Sequence, residues 1–246
     1  FDRISRVDGP VLTDLSGGTR RSVDGRNLVD QLDRLAASLD SGGIRSGDRV
    51  VAMFDNTIEA ALTLLMAMRH GITLCLQPAG TPLAELAKLR QDLEAKAIIN
   101  ATRTDMAGTT PIQLEGLAAH PPVSPAPVAP RTHFTITFTS GSTGIPKGIV
   151  HSADSFLTCA EVFNRQTGIT EQDRFLNVMP MFYMAGIFNG ILAPLAAGAS
   201  VVIADAFNTA TAMRFCSACR QMLYSGVCKN SRNNWRFVPR GSRAWW

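Results

Sequence analysis

Hydrophobic and polar positions recur along this chain with two periods, and the switches between them mark out its elements. Leu28, Leu32, Leu35 and Leu39 fall three and four residues apart with Asp24, Asp30, Asp33 and Arg34 between them, which predicts an amphipathic helix over residues 22–40. Gly42, Gly43 and the Gly47-Asp48 pair then turn the chain into a strand, DRVVAMF. A second helix is expected from Thr57 to Gly71, a buried strand at ITLCLQP, a third helix from about Pro82 and a short strand at AIIN. Strands alternating with helices at this interval predict a parallel sheet covered on both faces.

The pattern lapses between Gly108 and Pro130, where PPVSPAPVAP places five prolines in ten positions. Proline removes ladder donors, so an extended connector is expected. Beyond it HFTITF has the period of a half-buried strand, and GIV reads as strand again. Ser152 is an N-cap for a helix through about Gln166. RFLNVM, FNGILAPLAAG and SVVIA follow as strand, helix and strand.

Composition, at 46% hydrophobic and 18% charged, is that of a folded protein rather than a disordered one. The net charge of +4 changes meaning once it is divided. All 20 acidic residues lie within residues 1–214, against 18 basic ones, so that portion is at −2, while residues 215–246 hold six basic residues and no acid. The same tail holds all three tryptophans and three of the five cysteines. No charged segment precedes an apolar core at the start, and Cys75 and Cys159 suit a reducing compartment, so a cytoplasmic protein is expected. The start at Phe1 suggests a fragment or a processed start. Residues 175–204 carry no charge, yet Pro180, Pro194 and three glycines break them into short elements, which argues for a buried globular segment rather than a membrane span.

Between the two Thr- and Gly-flanked strands, Thr139, Ser140, Gly141, Ser142, Thr143 and Gly144 are followed by Lys147. Glycines let backbone N–H groups turn toward one point, hydroxyls add donors that rotate to meet phosphate oxygens, and lysine adds a mobile cation. Such a loop suits a polyphosphate. It is not the mononucleotide pattern GxxxxGK[ST], because Pro146 precedes Lys147 and a strand follows, and GxGxxG is absent.

TSGSTGIPKG, residues 139–148, closely resembles the phosphate-binding signature of the adenylate-forming (AMP-binding) superfamily, which includes acyl-CoA synthetases, peptide-synthetase adenylation domains and luciferases. The run from Gly43 to Ile99 and the block PMFYMAGIFNGILAPLAAGASVVI resemble the family's early series and its next block. The resemblance covers about residues 20–214. It implies an α/β fold of stacked sheets with covering helices, a partial N-terminal domain, and an enzyme that joins a carboxylic acid to ATP and passes the acyl group to a thiol, coenzyme A or a pantetheine arm. By resemblance Thr139, Ser140, Gly141, Ser142, Thr143, Gly144 and Lys147 would hold the ATP phosphates. Lys147 would offset charge as pyrophosphate departs, Thr143 would neighbour a Mg2+ ion, and Tyr183 and Gly186 would line the acid's pocket.

The sequence departs from the family in two places. Tyr183 stands where many members carry histidine or another aromatic, and a core aromatic is an equal alternative. After Arg214 neither period is sustained, which fits an unrelated basic tail, with an out-of-frame origin as one expectation. Cys216, Cys219 and Cys228 lack a fourth ligand for zinc, and the basic residues argue only weakly for nucleic acid. The family's adenine, ribose, magnesium-carboxylate and late-lysine segments have no counterpart here, so a chain inactive alone, or a noncatalytic remnant, is expected. Neither the acid nor the oligomeric state is legible. His151 is expected to be packed or hydrogen-bonded, and His70 to sit against a helix dipole.

Overall fold

Two sheets and the helix held between them account for most of the buried surface. In the computed structural model, residues 1–129, 132–138 and 147–204 are described in full, and 139, 222–224, 228–231 and 234–237 by their backbone. The first elements are β1 (Pro10–Asp14), β2 (Arg21–Asp24), α1 (Gly25–Ser41), β3 (Arg49–Phe54), α2 (Ile58–His70), β4 (Thr73–Pro78), α3 (Leu83–Asp92), β5 (Ala97–Ala101) and β6 (Thr110–Pro111). After them come β7 (His133–Thr139), β8 (Lys147–Ser152), α4 (Ala153–Thr167), β9 (Arg174–Asn177), a π-helical segment Ala185–Leu192, α5 (Ala193–Ala196) and β10 (Ser200–Ile203). The backbones of β11 (Met222–Tyr224), β12 (Cys228–Ser231) and β13 (Asn234–Phe237) follow.

One sheet runs β6-β5-β3-β4-β7-β8, parallel except for the antiparallel β7–β8 pair. The other runs β11-β9-β10-β1-β2, with only β1–β2 antiparallel. These are the stacked sheets and covering helices expected from the sequence. The uncharged run folds as β9, the π-helical segment, α5 and β10, and among the described residues no helix is long and apolar enough to cross a membrane.

Helix α2 is apolar on all sides, and only Glu59 and Arg69 escape burial, as required of a helix covered on every face. Thr57 caps its start by accepting from the Ala60 N–H at 3.1 Å, and Gly71 ends it at φ 69°, a left-handed cap that a Cβ would strain. The residues ahead of α2 reach both sheets. Asn56 donates Nδ2 to the Ala204 carbonyl at 2.9 Å and accepts from the Met181 N–H at 3.0 Å, while the Thr57 hydroxyl donates to the Ala101 carbonyl at 2.8 Å. Fully buried Asp14 of β1 accepts from the Ile58 N–H at 3.0 Å, the Ser16 N–H at 2.7 Å, the Ser16 hydroxyl and Arg21 at 2.9 Å. Arg21 also pairs with Glu59.

Helices α1 and α2 are joined by a second polar cluster, in which Arg69 and His70 both donate to Asp33, at 2.7 Å and 2.8 Å. Burial works to raise the Asp33 pKa, but the hydrogen bonds from Arg69 and His70 outweigh it and hold the carboxyl below its ordinary value. Burial pushes His70 down, against the pull of Asp33. His70 is thus held by a carboxylate, in addition to lying at the helix end.

The sequence pattern needs correcting at three points. Residues 21–24 form β2 rather than the first turn of α1, because Leu12↔Val23 and Asp14↔Arg21 pair across β1. The helix expected over 188–198 starts at Ala185 and is π-helical to Leu192. The proline-rich connector is not extended throughout, since Leu117–Ala119 form a 3-10 turn, and it packs down: Ile112 and Leu117 are buried, and Arg34 donates to the Ala118 and His120 carbonyls.

Two outcomes are expected. Asp14→Ala leaves the Ile58 and Ser16 N–H groups without their acceptor and Arg21 with Glu59 alone, and lowers stability by about 3 kcal/mol, whereas Asp30→Ala, which breaks an exposed pair with Arg34, costs under about 1 kcal/mol; urea unfolding of both variants checks this. Because Asp33 and His70 both bind protons more weakly in the folded chain, stability is full above about pH 6.5 and falls with acidification. His70 protonates first and Asp33 below about pH 4. Urea midpoints from pH 8 to pH 3 would show the advantage of wild type over Asp33→Asn, about 2 kcal/mol at pH 7, shrinking in acid.

Candidate functional site

The loop singled out by its hydroxyls and glycines joins β7 to β8, and its stem is set by a six-rung antiparallel register. Thr139 pairs with Lys147 at the loop end of the stem, Phe138 with Gly148, Thr137 with Ile149, and Thr135 with His151. The structure therefore brings Thr139 and Lys147 together, with Lys147 exposed. Ser140, Gly141, Ser142, Thr143 and Gly144 lie outside the described residues.

Alternation fixes the two faces of β7. Ile136 and Phe138 pack with Val51, Met53, Cys75 and Leu86 on the α3 side. Thr135 and Thr137 take the opposite face and are buried there. On that face the Thr137 hydroxyl lies 3.2 Å from His151 Nε2, and burial pushes the His151 pKa below its ordinary value. The Thr135 hydroxyl is buried with no partner among the described residues. His151 is hydrogen-bonded, as expected from the sequence, whereas the threonine pair drew no notice there because alternation alone marks it as the polar side of a strand.

Helix α4 starts directly after β8, where Ser152 accepts from the Ser155 N–H. Its Phe156 lies edge-on to Phe134 of β7 at 5.3 Å and to His151 of β8 at 5.6 Å, and contacts Phe188 of the π-helical segment at 5.9 Å. Phe163 reaches Phe188 too, and Asn164 donates to the Ala193 carbonyl at 2.6 Å. This aromatic run couples the stem to the segment that follows β9, which carries the two predicted pocket residues.

Tyr183 is 58% exposed with its ring 4.3 Å from that of Phe182, so it is not a core aromatic. Gly186 is buried, and a Cβ there would collide with the Pro180 carbonyl, which makes it necessary to the turn whatever else it lines. The long π-helical stretch is the kind of distortion that clusters at functional sites. Cys75 is no nucleophile at neutral pH, since burial pushes its thiol up to about 11 against a weaker opposing contact with Gln77. Among the described residues no three His, Cys, Asp or Glu side chains gather to hold a metal ion. Two open grooves, of about 540 Å³ beside Arg21 and Arg34 and about 740 Å³ beside Arg165 and Glu171, are lined by no hairpin residue.

Known proteins agree on what the hairpin belongs to. The D-lysergyl-peptide-synthetase subunit 1 of Claviceps purpurea is 30% identical over 199 residues, covering 74% of this chain and 6% of that protein. The 4-coumarate–CoA ligase 5 of Oryza sativa subsp. japonica is 28% identical over 232 residues, covering 85% and 41%. Among solved structures, ATP-bound MatB from Rhodopseudomonas palustris superposes with a TM-score of 0.75 at 20% identity, over 90% of this chain and 48% of that one. The o-succinylbenzoate CoA synthetase of Bacillus subtilis gives a TM-score of 0.75 at 19% identity, over 90% and 59%. The chain thus spans less than two thirds of the length of each of these relatives. The AMP-binding enzyme family matches residues 5–224, most of the chain, and with the signature seated between paired strands of the expected fold, this chain belongs to that family of adenylate-forming enzymes.

Proposed function

We propose that the protein from which this chain comes activates a carboxylic acid as its acyl-adenylate at the expense of ATP, then passes the acyl group to a thiol such as coenzyme A or a pantetheine arm. The observation that carries the reading is the TSGSTGIPKG sequence at the β7–β8 turn of a family fold, with Thr139 and Lys147 paired at its base. A carboxylate resists nucleophiles because resonance and charge oppose attack. Its oxygen attacks the α-phosphorus of ATP, the bond to the bridging oxygen breaks, and pyrophosphate leaves. The thiol sulfur then attacks the activated carbonyl carbon, loses its proton, and AMP departs.

In this reading the chain's own part is electrostatic. Thr139, Ser140, Ser142 and Thr143, with the N–H groups of Gly141 and Gly144, orient the β and γ phosphates, and Lys147 balances the charge that builds on departing pyrophosphate. Tyr183, exposed beside Phe182, and the Gly186 turn would face the acid. A Mg2+ ion, which the family resemblance implies, finds no carboxylate cluster among the described residues; Thr143 would neighbour it, and no step is routed through it. For residues after 214 the reading stays that of a basic tail, into which the family match runs as far as 224. A cytoplasmic setting is likewise proposed, from the two reduced cysteines Cys75 and Cys159.

For these 246 residues alone, phosphate binding without turnover is the proposed state, supported by the share of its relatives that the chain spans. Calorimetry is expected to register binding of ATP and of pyrophosphate, weakened about tenfold or more in Lys147→Ala by loss of a charge-assisted contact. ATP–pyrophosphate exchange with a panel of acids is expected to stay at background. Absence of any nucleotide binding would favour a remnant, and exchange above background would overturn the inactive reading.

A further inference from the structure

We infer that His151 is a positioning residue that braces the phosphate-loop stem through Thr137, a role that rests on the proposed nucleotide-binding function of the loop. The register sets the imidazole opposite Thr135, yet Nε2 lies 3.2 Å from the Thr137 hydroxyl, two rungs nearer the loop and the next position on the same face. Diagonal neighbours across an antiparallel pair are within reach of aromatic side chains. The choice leaves the Thr135 hydroxyl buried at 0% exposure without a partner among the described residues. A buried orphan hydroxyl in a native strand calls for a reason, and the reason is at the next position on that face.

Three features fix the direction in which the ring leans. Phe156 lies edge-on to it at 72°, so α4 holds it from one side. Phe134, which strict alternation would put with Ile136 on the α3 face, packs instead against Phe156, beside the register shift between His133 and Thr135. The third is β8 itself, which is an edge strand whose Lys147, Gly148, Ile149 and Val150 are all exposed, so that side-chain packing holds this end of the stem weakly. The Thr137–His151 bond spans the stem beside the Thr137↔Ile149 rung, and the next rung of that face is Thr139↔Lys147. Loop donors are useful for phosphate only if their base is held before the ligand arrives. The brace supplies that hold from the buried face.

Four variants separate this role from simple packing. His151→Leu and Thr137→Val remove the bond from either side, His151→Gln keeps a donor that reaches Thr137, and Thr135→Val removes only the orphan hydroxyl. The readouts are amide hydrogen exchange across residues 147–149, with β3 as internal control, and calorimetric affinity for inorganic pyrophosphate and ATP. His151→Leu and Thr137→Val are expected to speed exchange at 147–149 about tenfold with β3 unchanged, and to weaken pyrophosphate binding about fivefold. His151→Gln should return both to within about twofold of wild type, and Thr135→Val should leave both unchanged. Wild-type exchange and affinity in His151→Leu, a Thr135→Val effect equal to that of Thr137→Val, or faster exchange throughout β3 would overturn the brace. If wild type binds neither pyrophosphate nor ATP, the proposed function fails, and the exchange comparison alone still decides the role of His151.

Discussion

The first turn of α2 is the point on which the two sheets depend. A helix start leaves N–H groups without intrahelical acceptors, and a start buried between two sheets has no water to supply them. Here Thr57 caps Ala60, and Asp14 takes the Ile58 N–H as a buried anion on the positive end of the helix dipole. Asn56 and Thr57 also bond Ala204, Met181 and Ala101, so the residues that open this buried helix are tied to both sheets. Sheet stacking follows from that as much as from apolar burial. Arg21 keeps the Asp14 charge from being isolated, and Glu59 in turn balances Arg21.

What could be seen in the sequence divides along the range of the interactions. α1, α2 and α4 were legible because each carries local signals: leucine spacing, the Thr57 and Ser152 caps, the Gly71 stop. β3, β4 and β5 were legible as apolar runs between turns. β1 and β2 were not, since Thr13, Asp14, Arg21 and Ser22 give no clean alternation, and these strands exist through pairing of Leu12 with Val201, far along the chain, and with Val23. The π-helical segment was hidden for a similar reason. FNGILAPLAAG has apolar content that suits any helix, and what distinguishes the wide turn is the close approach of Gly186 to Pro180 and of Gly190 to Asn177, which no local period encodes.

The candidate site was legible in its chemistry and illegible in its support. Thr139, Lys147 and the residues between them suggest a phosphate loop by composition, and the proposed function rests on that reading. Nothing in the local pattern announces that Phe134, Phe156 and Phe188 form a continuous aromatic run from the stem to the segment bearing Tyr183. Each of these phenylalanines satisfies an ordinary core position, and their joint placement is a tertiary fact. Tyr183 is the converse case, because a sequence reading could not choose between core and pocket, whereas its exposure excludes the core.

Charge distribution bears on the proposed phosphate binding, which would have to act at short range. With 18 basic against 20 acidic residues up to position 214, that portion has no net positive field to draw a nucleotide in from solution. The positive excess sits in the last 32 residues, so the overall pI of 9.0 describes the tail rather than the loop. An anion with several charges is then captured only where donors converge within hydrogen-bond distance, and convergence of amides and hydroxyls is a matter of backbone geometry. Glycine and serine leave many backbone conformations open, so their sequence alone does not fix one geometry for the proposed loop. Its geometry has to be imposed from below, by an antiparallel stem whose buried face is anchored on α4 through Phe134, His151 and Phe156.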